Sequence, residues 1–182
     1  MSSESRRPAN TRPSWNFGKL AFTLALAVYF GRHVFHPYNR LFIYNVDFVF
    51  HEAGHLVFQP FGELLFHLGG TLMQLLLPTA ALLHLAKRQQ YFSASQVLYW
   101  LGENWINISI YARDARNRAL PLHGGDAVTH DWSEILLITG GLHYDHVIGN
   151  TFFAIGVLCT LAALGLGIYL ARFSEPPLDD AQ

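Results

Sequence analysis

Two stretches of this sequence carry no Asp, Glu, Lys or Arg at all: Leu64 to Ala86 and His146 to Ala171. A helix needs about 20 apolar residues to cross a bilayer, so both are long enough. Three further stretches are nearly as apolar. They run from Lys19 to Arg32, from Leu41 to Pro60, and from Gln89 through Glu103 to Ala112. Charged residues make up 14% of the 182 residues and hydrophobic ones 51%, at a mean hydropathy of +0.21. Soluble domains are about 25% charged. The expected fold class is therefore all-α, a polytopic membrane bundle of five to six helices. Asp131 to Leu142 is too short to span well, and it is read as either a re-entrant helix or a sixth crossing.

The same numbers exclude other classes. A net charge of −1 gives no basic field for nucleic acid. A single cysteine, Cys159, excludes an internal disulfide and any paired-cysteine metal site. Arg6, Arg7, Arg12 and Lys19 precede the first apolar run and read as an uncleaved anchor. The expected organisation is a tail over 1–14, one membrane domain over 15–172 and a second tail over 173–182. With six crossings that alternate in direction, the Lys and Arg positions favour a cytoplasmic N-terminus. The small size suits a prokaryotic plasma membrane, and the lipid bilayer is the first expected partner.

The chemistry lies in His51-Glu52-Ala53-Gly54-His55, within the Leu41 to Pro60 run. On a helix, positions i and i+4 share a face, so both imidazoles reach one metal ion. Glu52 beside them is placed to take a proton from metal-activated water. Zinc is the expected ion, because it brings the pKa of bound water to about 7. A carboxylate in mid-membrane costs about 2.5–3.5 kcal/mol on insertion scales, and this segment carries two, Asp47 and Glu52. Asp47 precedes His51 by one turn and is expected to orient its second ring nitrogen.

The third ligand is sought in the polar stretch before Trp132, among Asp126, His130 and Asp131, with His130 or Asp131 preferred. Alternatively Thr129 or Asp131 caps the helix that follows. Gln96, Glu103, Asn107 and Asp114 recur at helical spacing, with Asn104 and Tyr111 alongside. Such a polar stripe faces the bundle interior or a water cavity. Asn104 or Asn107 is the candidate donor to a developing oxyanion, Asn107 the one assigned. His143, Asp145 and His146 are expected at the opposite face from the site, His67 and His84 in packing, and Arg113, Arg116 and Arg118 at lipid headgroups. Gly69-Gly70 reads as a close helix contact.

An HEAGH motif in an apolar helix, followed by Gly69-Gly70, resembles the site-2 protease family of intramembrane zinc metalloproteases. The resemblance implies His51 and His55 as zinc ligands, Glu52 as the base, and a membrane protein or peptide as substrate. That family draws an aspartate ligand from an Asp-Gly segment. This chain has no Asp-Gly, and its nearest counterparts are Gly125-Asp126 and His130-Asp131-Trp132. The other readings are a membrane zinc hydrolase of lipid amides or esters, and a non-enzymatic metal or haem carrier. Haem fits poorly, since two histidines on one helix face cannot clamp opposite faces of one ring.

Overall fold

The computed structural model describes residues 14–121 and 129–175. Six α-helices account for most of them, and no strand occurs among the described residues. They are α1 (Phe17–Phe35), α2 (Tyr44–Phe58), α3 (Glu63–Lys87), α4 (Tyr91–Arg113), α5 (Asp131–Ile138) and α6 (Asp145–Leu170). Two helices are long and apolar enough to cross a membrane, α3 and the continuous Leu142–Leu170 segment that contains α6.

Helices α4 and α6 run antiparallel and form the largest contact, because small residues let their backbones meet. A Cβ on Gly102 would lie 2.8 Å from the Gly156 carbonyl oxygen, and one on Gly156 would lie 2.7 Å from that of Gly102. Further along, a Cβ on Gly149 would meet the Ser109 carbonyl at 2.8 Å. Helix α3 reaches α4 through the short turn at Arg88–Gln90 and lies against it in the opposite sense.

The direction of α1 and α2 differs from the alternation expected of two crossings. Asn16 N donates to the Ala171 carbonyl (2.9 Å), Lys19 Nζ lies over the Phe92 ring (4.7 Å) and Tyr99 Oη donates to the Thr23 carbonyl (3.4 Å). His33 then comes level with Glu103. Past the link at 36–43, Asp47 meets Trp100 and Asn104, and His51 faces Tyr111. Both helices thus run parallel to α4 and follow one another along it. The physical reason is that His33, Asp47 and their α4 partners are polar groups that stay buried only if the chain continues instead of turning back.

Asp145 receives Arg116 Nε at 2.7 Å, so α6 begins where α4 ends. Helix α5 consequently does not cross the bundle. It packs Trp132, Ile135 and Leu136 against Ile108, Ala112 and Ala115 of α4. The His143–His146 segment, expected at the far face, therefore lies at the same end as the polar loop. Arg116 and Arg118 are likewise paired within the protein, with Asp145 and with Ser133 and Glu134. The start of α1 and the end of α6 share the other end, where Glu175 accepts from Ser93 and Lys19 donates to the Phe173 carbonyl.

Candidate metal centre

Helix α2 presents His51 and His55 one turn apart on the face toward α3. Two glycine contacts allow it to sit there. A Cβ on Gly54 would collide with the Gly69 carbonyl, and one on Gly70 would stand 2.5 Å from His51 Nε2. The turn between the two helices ends at Gly62, whose φ of +98° suits glycine.

The outer nitrogen of each imidazole meets a carbonyl. His51 Nδ1 lies 3.2 Å from Gln74 Oε1, and His55 Nδ1 lies 2.8 Å from the Phe66 carbonyl oxygen. A carbonyl only accepts, so both rings carry hydrogen on Nδ1 and turn Nε2 inward. Gln74 thus does what was expected of Asp47. The Asp47 carboxylate instead accepts from Trp100 Nε1 (2.7 Å) and Asn104 Nδ2 (3.3 Å).

The inward nitrogens converge on Asp131. Its Oδ2 lies 3.3 Å from His51 Nε2 and 3.4 Å from His55 Nε2. Ligands about 2.0–2.1 Å from a tetrahedral ion stand roughly 3.3–3.4 Å apart, the edge of such a tetrahedron. One ligand atom each from His51, Glu52 and His55 also lies within 4.8 Å of the others.

Asp131 is itself held at several points. Its Oδ1 pairs with His67 Nδ1 (3.0 Å), its backbone N–H donates to Tyr111 Oη (3.0 Å), and Tyr111 Oη donates to Oδ2 (3.3 Å). His67, read from the sequence as a packing residue, is therefore a partner of Asp131. Its single apolar-face position gave no sign of this. The Gly69-Gly70 reading as a close contact agrees with the geometry above.

His130 stands elsewhere. Its Nδ1 accepts from Ser133 N (3.2 Å) and caps α5, its Nε2 lies 3.4 Å from Asp114 Oδ2, and its ring rests on Tyr111 at 4.2 Å. The cap on α5 is thus His130, where Thr129 or Asp131 was expected. Burial holds the His130 imidazole below its usual range, against the pull of Asp114. With Nδ1 spent on the α5 cap and Nε2 turned toward Asp114, His130 is not brought to the His51–His55 pair. Asp126 lies outside the described residues.

A cavity of about 430 Å³ opens beside these groups. His51, Glu52, His55, Asp131, Asn107 and Glu103 line it, and Phe48, Leu56 and Phe66 supply apolar walls. Glu52 is exposed to this space. Asn107 Nδ2 is buried with no hydrogen-bond partner among the described residues, whereas Asn104 Nδ2 is spent on Asp47 and the Trp100 carbonyl. Comparison with family profiles, curated proteins and solved structures finds no match for this chain.

Proposed function

We propose that the chain is a membrane-embedded zinc hydrolase that cleaves peptide bonds, with His51, His55 and Asp131 as metal ligands. The observation that carries this is the convergence of two histidine Nε2 atoms on one carboxylate oxygen at 3.3 and 3.4 Å. A histidine–histidine–carboxylate set with an open position suits catalytic zinc. When bound, zinc acidifies a water molecule and polarises the carbonyl to be attacked.

The chain's own residues supply the rest. Glu52, next to a ligand and open to the cavity, takes the proton of the attacking water and returns it to the leaving amine. Asn107 Nδ2, otherwise without an acceptor, donates to the oxygen that gains charge. Gln74 and the Phe66 carbonyl keep the two imidazoles in the tautomer that leaves Nε2 free. The apolar walls exclude bulk water from the reacting groups.

Placement in a bilayer is part of the reading. Large apolar side chains face outward on α1, α2, α3 and α6, among them Val28, Val49, Leu76, Leu158 and Leu161. Such a continuous apolar exterior suits lipid. Lys19, Lys87, Arg88 and Arg172 gather at the end where α1 begins, and Arg6, Arg7 and Arg12 precede it in sequence. Arg113, Arg116 and Arg118 are at the other end. The excess of positive charge supports a cytoplasmic N-terminus, which puts the metal centre toward the opposite face.

The test is metal content followed by turnover. Wild type purified in detergent is expected to hold one zinc per chain, and His55→Ala none. Glu52→Gln is expected to keep the zinc and lose cleavage of membrane-peptide substrates. Full activity in Glu52→Gln would rule out the mechanism. Glu52-dependent release of fatty acid from lipid amides or esters, without peptide cleavage, would select the lipid hydrolase instead.

A further inference from the structure

One threonine departs from what the other helical threonines do. Thr23, Thr79, Thr151 and Thr160 each donate the hydroxyl hydrogen to the carbonyl four residues back, at 3.0, 2.7, 2.9 and 2.9 Å. Such back-bonding satisfies a hydroxyl within its own helix. Thr71 of α3 makes no such bond. Its Oγ1 is buried with no hydrogen-bond partner among the described residues, and its side chain lines the cavity beside the metal centre. A second buried donor in that lining also lacks an acceptor among the described residues, Asn107 Nδ2 of α4. The other polar groups there are engaged. The Glu103 carboxyl is paired with that of Asp47, and His33 Nε2 lies 2.8 Å from the Pro37 carbonyl oxygen.

Thr71 and Asn107 stand at one level of the bundle. His67 on α3 and Tyr111 on α4 both hold Asp131. Thr71 follows His67 by one turn, and Asn107 precedes Tyr111 by one turn. Because α3 and α4 run in opposite senses, both steps lead the same way from Asp131, about 6 Å along each axis. His51 lies at this level too. Its Nδ1 meets Gln74, one turn past Thr71, and its Nε2 lies against Gly70, the residue before Thr71. A buried donor without an acceptor costs about 1–3 kcal/mol. Two of them on neighbouring helices, beside the proposed ligands, are matched by an oxygen that a bound substrate brings.

We propose that Thr71 is a catalytic residue, its hydroxyl and Asn107 Nδ2 donating together to the carbonyl oxygen of the bond being cleaved. This rests on the hydrolase reading above and adds a second donor to it. As the water oxygen bonds to the carbonyl carbon, the π pair of the C=O bond moves onto that oxygen, and both hydrogen bonds strengthen. No proton leaves Thr71. The proton of the water goes to Glu52 and then to the leaving amine. Donors fixed on packed helices need no rearrangement as the charge develops. By contrast, a hydroxyl that accepted from a substrate N–H would favour the bound substrate and the charged state equally.

The experiment uses the zinc-loaded protein in phosphatidylcholine nanodiscs. Binding is measured by calorimetry in a Glu52→Gln background, so that no cleavage intrudes. One probe is an N-acetylated, C-amidated leucine-rich hexapeptide. The other has its central amide replaced by a phosphinate, whose charged tetrahedral oxygens resemble the attacked carbonyl. Thr71→Val keeps the shape and loses the hydroxyl. It is expected to weaken phosphinate binding by at least about tenfold and amide binding by less than about twofold. Thr71→Ser is expected to restore phosphinate binding, and Thr71→Ala gives the same reading as Thr71→Val if the latter does not fold. With Glu52 intact, Thr71→Val is expected to lower kcat about 100-fold at a KM within about twofold, with one zinc per chain retained. Equal loss of both probes, unchanged phosphinate binding, or failure of Thr71→Ser to restore it would overturn the proposal. Phosphinate binding that depends on Thr71, in a protein that cleaves no peptide when Glu52 is intact, would instead overturn the peptidase reading and leave the donor pair in place.

Discussion

Gly70 lies against the imidazole of His51 so closely that a methyl group on its Cα would stand 2.5 Å from Nε2. Backbone of one helix and the Nε2 edge of a ring on another are thus in direct contact. Gly70→Ala is expected to tilt His51 out of line and weaken zinc binding by at least about tenfold, with helical content unchanged. Competition with a chelator of known affinity, alongside circular dichroism, measures both. Unchanged zinc affinity would mean that the ring does not need this contact.

Asp131 and His130 are adjacent in sequence and differ in role. Asp131→Ala is expected to abolish zinc retention. His130→Ala is expected to keep zinc and lose roughly 1 kcal/mol of stability with the α5 cap. Metal analysis and thermal unfolding of the two variants separate these outcomes, and zinc loss in His130→Ala with Asp131→Ala unaffected would reverse the assignment.

The partners of the proposed ligands are open to the same approach. Gln74→Leu removes the acceptor for His51 Nδ1, and His67→Leu removes the partner of Asp131 Oδ1. Each is expected to lower zinc affinity by about 10–100-fold while leaving one ion per chain at saturating metal. Asp47→Asn, by contrast, is expected to leave zinc affinity within about threefold, because Asp47 faces Trp100 and not His51. A large loss in Asp47→Asn would restore it as the orienting group.

The paths of α1 and α2 make a topological prediction. In a Cys159→Ser background, single cysteines at Ser14 and Arg172 are expected to react from one face of a sealed vesicle, and one at His143 from the other. Labelling of all three from the same side would mean that α1 and α2 turn back on one another.

The legible parts of this protein were those written locally. Charge-free runs marked α3 and α6, and the four-residue spacing of His51 and His55 fixed their common face, since both follow from helix geometry. The link at 36–43 was misread because Arg32 and Arg40 look like the flanks of two separate crossings. What keeps the chain going forward is contact with Trp100, Glu103 and Asn104, more than 50 residues away. Asp131 was one of three candidates for the same reason. Its meeting with His51 spans 80 residues, and only the packing of α5 on α3 and α4 selects it over His130. His67 and Gln74 carried no local mark, because their importance comes wholly from what stands opposite.

The two histidines of the proposed metal site are held by supports of different kinds. Gln74 is a side chain, and one nucleotide change can remove it. The Phe66 carbonyl is main chain, present whatever residue occupies that position. The alignment of His55 is accordingly beyond the reach of substitution at its support, while that of His51 is open to drift. Among descendants of this sequence, variation in metal preference should arise first on the His51 side, where selection has an amide to exchange.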